Sequence, residues 1–287
     1  MRGPWLRLDL GGPLPVTALF TALVDDAGLF PPEELAMADA LARYRRDRTV
    51  GHPVLTGRFL CPAVALPTLV ANLADGDSVS VGLIAPLASD TVREALTAIV
   101  ADARLDPASV EGVAVTTVAD AVSALHGVTV PRYVELPTRA PAQDLDRLAA
   151  AGVGAKVRCG GVRAELFPPA EDLAGFLAAC VERGIAMKAT AGLHHAVRYR
   201  DPITGFTHHG FLNLLLGTCR AVAGRPVADV VEVLCLEDAG DLAAEAASEP
   251  ATVVAGARAA LVCYGSCSTS EPIEDLEQLG LLGTGVR

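Results

Sequence analysis

An alternation constrains the fold of this chain more than any other feature. Short apolar runs recur at 17–30, 57–63, 78–86, 110–118, 132–137, 152–161, 184–193 and 260–268. Longer Ala- and Leu-rich segments with charges at helical spacing follow them, at 33–46, 66–74, 90–103, 118–126, 142–151, 169–183 and 209–223. Further helices are predicted over 226–236 and 249–259. Strands of this length alternating with helices of ten to fifteen residues build βαβ units and hence a parallel sheet. Eight such runs in 287 residues predict an α/β fold, a (β/α)8 barrel of the TIM type. Residues 17–24 of the first run also suit a helix. The stretch 196–259 exceeds one βα unit and reads as extra helices inserted between strands 7 and 8. An open, doubly wound sheet is the alternative. Against it, no G-x-G-x-x-G follows the first strand, and the glycines of AGVGAKVRCGG (151–161) lack that spacing. No fixed-period repeat, low-complexity tract or linker divides the chain, so one barrel domain is expected over 1–287.

Composition narrows the partners. Apolar residues make up 51% and aromatics only 4%, so the core is Ala, Val and Leu, which suits helices on parallel strands better than a β-sandwich. A formal charge of −11 argues against a nucleic-acid or anionic-membrane partner. The seven cysteines (Cys61, Cys159, Cys180, Cys219, Cys235, Cys263, Cys267) are odd in number and form no C-x-x-C. They read as buried thiols of a reducing cytoplasm and not as a disulfide framework. The opening MRGPWLRLDLGGPLP has no apolar stretch of signal type, and no run reaches the roughly 18 residues of a membrane span. The expectation is a cytoplasmic protein that takes a small molecule. Its Ala/Leu-rich helix shell is compatible with a homodimer.

In such a barrel the chemistry sits at the C-terminal strand ends. Strand 1 ends in DDAGLFPP, where Asp26 is expected to aim into the mouth and Asp25 to cap a turn. Strand 2 ends at Cys61–Pro62, strand 5 with Glu135, and strand 8 in YGSCS (264–268). On strand 6, Lys156 and Arg158 share one face and Val157 takes the other. Two cations on one face are not a packing solution, so they are expected in the mouth. Lys188 holds the same relative place one strand later, ahead of His194 and His195. Neighbouring lysines can lower each other's pKa, and a neutral amine can add to a carbonyl to form a Schiff base. The alternative is an ion network in which the lysines pair with acids such as Glu135.

Four of the six histidines, His194, His195, His208 and His209, fall within sixteen residues. One possible ligand set is His194 or His195 with His209 and Glu135 or an aspartate, which suits zinc or another divalent ion. Neither H-x-H nor H-E-x-x-H is present. The other reading is general acid/base work beside an imine-forming lysine. THHGFLN is predicted to open a helix, whose free N–H groups favour an anion. Cys159 and Cys267 lie at strand ends and are either activated thiolates or, more simply, buried neutral thiols. SEPIEDLEQLGLL reads as a helix with Ser270 as N-cap and Pro272 in its first turn.

Two resemblances follow from these motifs. The layout resembles class I aldolase barrels, deoxyribose-phosphate aldolase in particular, through AKVRCGG, MKATAGL and YGSCS. That resemblance implies that Lys156 forms an imine and that Lys188 is the amine that tunes it. It also implies that Gly192, Gly265, Ser266 and Ser268 belong to a phosphate-holding loop. GVAVTTV departs from the pattern by lacking the fourth-strand acid, and GLHH places histidines where the aldolase has none. The chain also resembles a set of uncharacterised bacterial proteins sharing AGLFPP, K-x-R-x-G-G, KATAGLHH, HGFLN and GSCS-x-x-EP, a likeness that implies kinship and no particular activity.

The expectation is an aldolase-like lyase acting on an anionic carbonyl compound, without a cofactor. Lys156, Lys188, Glu135, His194 and His195 are the catalytic candidates. Asp26, Arg158, Gly192, His209, Gly265, Ser266 and Ser268 are the binding candidates. A metal-dependent hydrolase, isomerase or lyase using the histidine cluster is the first alternative. A non-catalytic metabolite- or partner-binding barrel is the second.

Overall fold

A computed structural model describes residues 16–283. The opening stretch read for a leader, residues 1–15, lies outside them. The first half of the chain runs β1 (Val24–Asp26), α1 (Met37–Val50), β2 (Leu55–Pro62), α2 (Leu66–Asn72), β3 (Val79–Ile84), α3 (Ser89–Val100), β4 (Leu105–Val113) and α4 (Val118–Ala124). Next come β5 (Arg132–Leu136), α5 (Ala142–Ala151), β6 (Gly154–Arg158), α6 (Ala170–Arg183) and β7 (Met187–Thr190). A short hairpin, β8 (Tyr199–Arg200) and β9 (Thr207–His208), leads into α7 (Phe211–Val222), α8 (Val227–Cys235), α9 (Ala239–Ser248) and α10 (Ala251–Ala260). The last elements are β10 (Leu261–Ser266) and α11 (Glu271–Gln278). Eight strands close into a parallel barrel in the order β1-β10-β7-β6-β5-β4-β3-β2. This is the expected (β/α)8 architecture, with extra helices between its seventh strand, β7, and its eighth, β10.

The core is aliphatic, as the composition requires. Leu41, Leu69, Val81, Leu83, Val110, Val134, Leu148, Val157 and Leu177 are all fully buried between strands and helices. Each such side chain contributes about 1.5–3 kcal/mol by leaving water. Helix α7 is apolar nearly all round, with ten of its twelve residues buried. That pattern marks a helix packed on several sides, and α6, α8, α9 and α10 all pack against it. Asn213 in its first turn ties this layer together. Its Nδ2 donates to the carbonyls of Val233 and Leu236 at 2.8 Å each, and its Oδ1 accepts the Arg198 N–H at 2.8 Å.

Four boundaries differ from the sequence reading. Only Val24–Asp26 of the first run is strand, and a short 3₁₀ turn covers Val16–Leu19. The fourth strand, Leu105–Val113, lies earlier than 110–118 and contains Pro107, a residue that removes a ladder donor. The ladder to β3 shifts register beside it. Helix α9 was not anticipated, although Asp238 caps it by accepting the Asp241 N–H at 2.9 Å. Ser270 occupies the N-cap position of α11 but its hydroxyl does not cap. The Ser268 hydroxyl accepts the Glu271 N–H instead, at 3.3 Å. No helix of the described residues is long and apolar enough to cross a membrane.

Candidate active site

The centre of the barrel holds an alternating chain of charge: Arg58, Asp25, Lys188, Glu111, Lys156, Glu135 and Arg158. Arg58 Nη1 donates to both Asp25 oxygens, at 2.9 and 3.0 Å, and the Thr56 hydroxyl donates to Oδ1 at 2.6 Å. Lys188 Nζ lies 2.6 Å from Asp25 Oδ2 and also bonds Glu111 Oε1. Lys156 Nζ lies 2.9 Å from Glu111 Oε2 and 3.5 Å from Glu135 Oε2. Arg158 Nε donates to Glu135 Oε1 at 3.1 Å.

The strand registers explain this convergence. Lys156 is the Cα partner of both Glu135 and Lys188, and Lys188 is the partner of Cys263. Five residues of β2, Leu55 to Phe59, span what the three from Val24 to Asp26 cover on β1. Gly57, at φ +71°, takes up that irregularity, so Thr56 and Arg58 both reach Asp25.

Burial by itself favours a neutral Lys188, yet Asp25 and Glu111 outweigh it and hold the ammonium above the ordinary lysine range. The same balance runs in reverse for the acids. Burial raises Asp25 and Glu111, but Lys188 with Arg58, and Lys188 with Lys156, bring their carboxyls below the usual values. Lys188 is therefore a sealed, charged amine, 1% exposed, and the expected neutral lysine near pH 7 is not found there. Burial also pushes the neighbouring Tyr133 and Cys263 up to about 12, so both stay protonated.

Above this layer the barrel mouth opens into a cavity of about 650 Å³. Glu135, Lys156, Arg158, Gly192, His194, Gly265 and Ser266 are among its walls. Val157 turns away into the core, as strand alternation predicts. The turn after β7 puts Ala191 and Gly192 at φ +60° and +72°. Gly192 packs so closely on Gly160 that a Cβ on Gly160 would sit 2.6 Å from the Gly192 Cα. The two loops thus meet through bare backbone at the rim.

Other candidates lie elsewhere. Lys188 is beneath the cavity and does not line it. Asp26 faces outward from the barrel, pairs with Arg43 of α1 and accepts the Gly28 N–H at 2.9 Å. The expected roles of the two aspartates are therefore exchanged: Asp25 points inward to Lys188 and Arg58, and its neighbour Asp26 on the same strand points the other way. Ser268 caps α11, as above. Burial raises the thiols of Cys159, to about 12, and Cys267, which favours the buried-thiol reading of both. All seven cysteines are free.

The histidines take separate hydrogen-bonding partners, although the His194 and His208 rings lie 6.4 Å apart. His209, 1% exposed, donates from Nε2 to the Pro168 carbonyl at 2.8 Å and faces Arg198 Nη1 with Nδ1 at 3.3 Å. His208 Nδ1 donates to the Gly192 carbonyl at 3.3 Å and stacks on Tyr199. His195 Nδ1 lies 3.3 Å from Asp275 Oδ2 on α11, outside the cavity. His194 alone reaches the cavity, with Nδ1 3.6 Å from Cys267 Sγ. Burial holds His194, His208 and His209 below the ordinary histidine value. No three His, Cys, Asp or Glu among the described residues are grouped to hold a metal ion, so the expected set of His194 or His195 with His209 and Glu135 is not assembled. His209 serves the loop scaffold and not a ligand.

Sequence reasoning missed Glu111, Arg58 and the inward role of Asp25. Glu111 is an acid on the fourth strand, one residue ahead of the GVAVTTV stretch. A second signal was also legible: Lys156 and Lys188 are the only lysines in the chain, against 23 Lys and Arg together. Every other cation is arginine, which cannot give up its proton in a protein. No protein-family model matches the chain, and no curated protein sequence matches it.

Proposed function

We propose that this barrel is a lyase that breaks or makes a carbon–carbon bond through an imine on Lys156. One observation carries the reading: in a chain with two lysines, Lys156 is the one that lines the mouth cavity. The barrel architecture and the resemblance to class I aldolases agree with it. In the cleavage direction, Lys156 Nζ adds to the substrate carbonyl carbon and water leaves as the imine forms. A base then takes the proton of the hydroxyl two carbons from the imine carbon. The C–C bond breaks, an aldehyde departs, and its bonding electrons become an enamine. Protonation at carbon and addition of water release the second product and restore the amine. Glu135, on the cavity wall and 3.5 Å from Lys156, is the carboxylate placed to move these protons. Lys188 has a positioning role: it holds Glu111, which in turn holds Lys156. Arg158 engages Glu135 through Nε alone among the described residues, which leaves its Nη groups for an anionic substrate group.

Borohydride reduction in the presence of pyruvate or short aldehydes tests this reading. A stable adduct on Lys156, absent from Lys156→Met and absent from Lys188, is the expected mass-spectrometric result. Full turnover by Lys156→Met on any substrate that the wild type cleaves would overturn it.

A further inference from the structure

The mouth cavity is divided by chemistry along the barrel. Every charged or hydrogen-bonding side chain on its wall comes from β5, β6, β7, β10 or the loops after them: Glu135, Lys156, Arg158, Thr190, His194 and Cys267. The contiguous half built by β1 to β4 contributes none. Its wall is Phe30, Leu60, Val64, Ile84, Pro86 and Val113 with small or proline neighbours. One further observation points to a ligand. On that half of the rim Val64 and Val113 remain 89 and 50% exposed, although an isolated chain gains nothing by presenting aliphatic side chains around an opening.

From this we infer the substrate class: a 2-oxo acid whose far end is apolar, and not a phosphorylated polyol. The inference rests on the imine reading for the position of the carbonyl. The division of the walls is independent of it. Lys156 and Arg158 share one face of β6, about 6.5 Å apart along the strand. The ketone therefore meets Lys156 while the adjoining carboxylate meets the free Nη groups of Arg158. The remaining substituent then crosses to the β1–β4 wall. A polyol there would lose its water without regaining hydrogen bonds, whereas an alkyl or aromatic group would cover the exposed valines. In the cleavage direction the departing aldehyde is the apolar fragment, and the fragment left on Lys156 is the enamine of a short 2-oxo acid.

The test compares three probes in borohydride trapping at Lys156: 2-oxooctanoate, pyruvate and 2-deoxyribose 5-phosphate. The structure predicts half-saturation by 2-oxooctanoate at a concentration at least about tenfold below that for pyruvate. In Val64→Asp, a change at an exposed rim position, the ratio should fall toward one. Trapping of 2-deoxyribose 5-phosphate as well as or better than 2-oxooctanoate would overturn the substrate class and leave the imine intact. Absence of any adduct would sink the imine, and calorimetric titration with 2-oxooctanoate then decides the rest. Binding that both Arg158→Gln and Val64→Asp weaken by about tenfold upholds the divided cavity, and no binding overturns it.

Discussion

Two regions of this molecule invite a chemical reading, and they behave in opposite ways. Four histidines crowd into residues 194–209, yet in space each goes to a different partner: Cys267, Asp275, the Gly192 carbonyl and the Pro168 carbonyl. The seven charges at the barrel centre are scattered from Asp25 to Lys188, yet they meet in one hydrogen-bonded chain. Density along the sequence and convergence in space are separate properties. A parallel barrel makes the second independent of the first, because strand ends distant in the chain share one mouth. The histidine loop is a clasp that pins the β7–α7 connection to three other parts of the molecule. The barrel centre is where groups act on one another.

The sharpest way to break this contrast is to remove the middle of the charge chain. Lys188→Met leaves Asp25 and Glu111 buried with one cationic partner each instead of two. Breaking a buried ion pair from one side costs about 3–5 kcal/mol, and the surviving partners, Arg58 and Lys156, put this case near about 3. Urea unfolding at pH 7 measures it. Arg158→Gln removes the outer end of the same chain, where the side chain is 42% exposed, and should cost less than about 1 kcal/mol. Equal losses from the two variants would mean that the centre is not the coupled, desolvated network described here.

Much of this was legible in the sequence, but unevenly. Periodicity placed the barrel, the inserted helices and the inward face of Lys156 and Arg158, because each depends on short-range spacing. The pairing of Lys188 with Asp25 was not legible, since it depends on a barrel closure that brings residues 163 apart in the chain together. Glu111 lay inside the expected run 110–118, but nothing in its local spacing marked it as the acid that would bridge Lys156 and Lys188. Asp25 and Asp26 were exchanged because the strand holding them is three residues long, and alternation has no phase until one end is fixed. The histidines misled for the converse reason. Their spacing says that they are near one another, and only the fold says which way each ring faces.

The clasp itself is tested by His209→Ala. This change removes a buried ring and leaves the Pro168 carbonyl without its donor, a loss of about 1–3 kcal/mol. His195→Ala, at a half-exposed ring outside the cavity, should stay within about 0.5 kcal/mol. Neither change should alter borohydride trapping at Lys156. Loss of trapping in His209→Ala, with its unfolding midpoint unchanged, would move this histidine from scaffold to site.

Acid should separate the two regions, and this is the smallest effect, read as a slope. His194, His208 and His209 have folded pKa values held down, chiefly by burial. As pH falls below the ordinary histidine value near 6.5, the unfolded chain takes up protons that the folded chain resists, so stability declines first through these groups. Asp25 and Glu111 are also depressed, but as acids they keep their stabilising charge until pH falls below the ordinary carboxylate range near 4. Lys188, raised, keeps its contribution up to the ordinary lysine range and loses it only as pH climbs toward the higher folded value. Unfolding free energies at pH 7, 6, 5 and 4 should therefore fall between 7 and 5 with a slope that His209→Gln reduces and Lys188→Met leaves alone. Below pH 5 the deficit of Lys188→Met should shrink, because its stranded carboxyls can then take protons. If Lys188→Met instead flattened the slope between pH 7 and 5, the barrel centre and the histidine clasp would be one coupled unit, and the distinction drawn between them would fail.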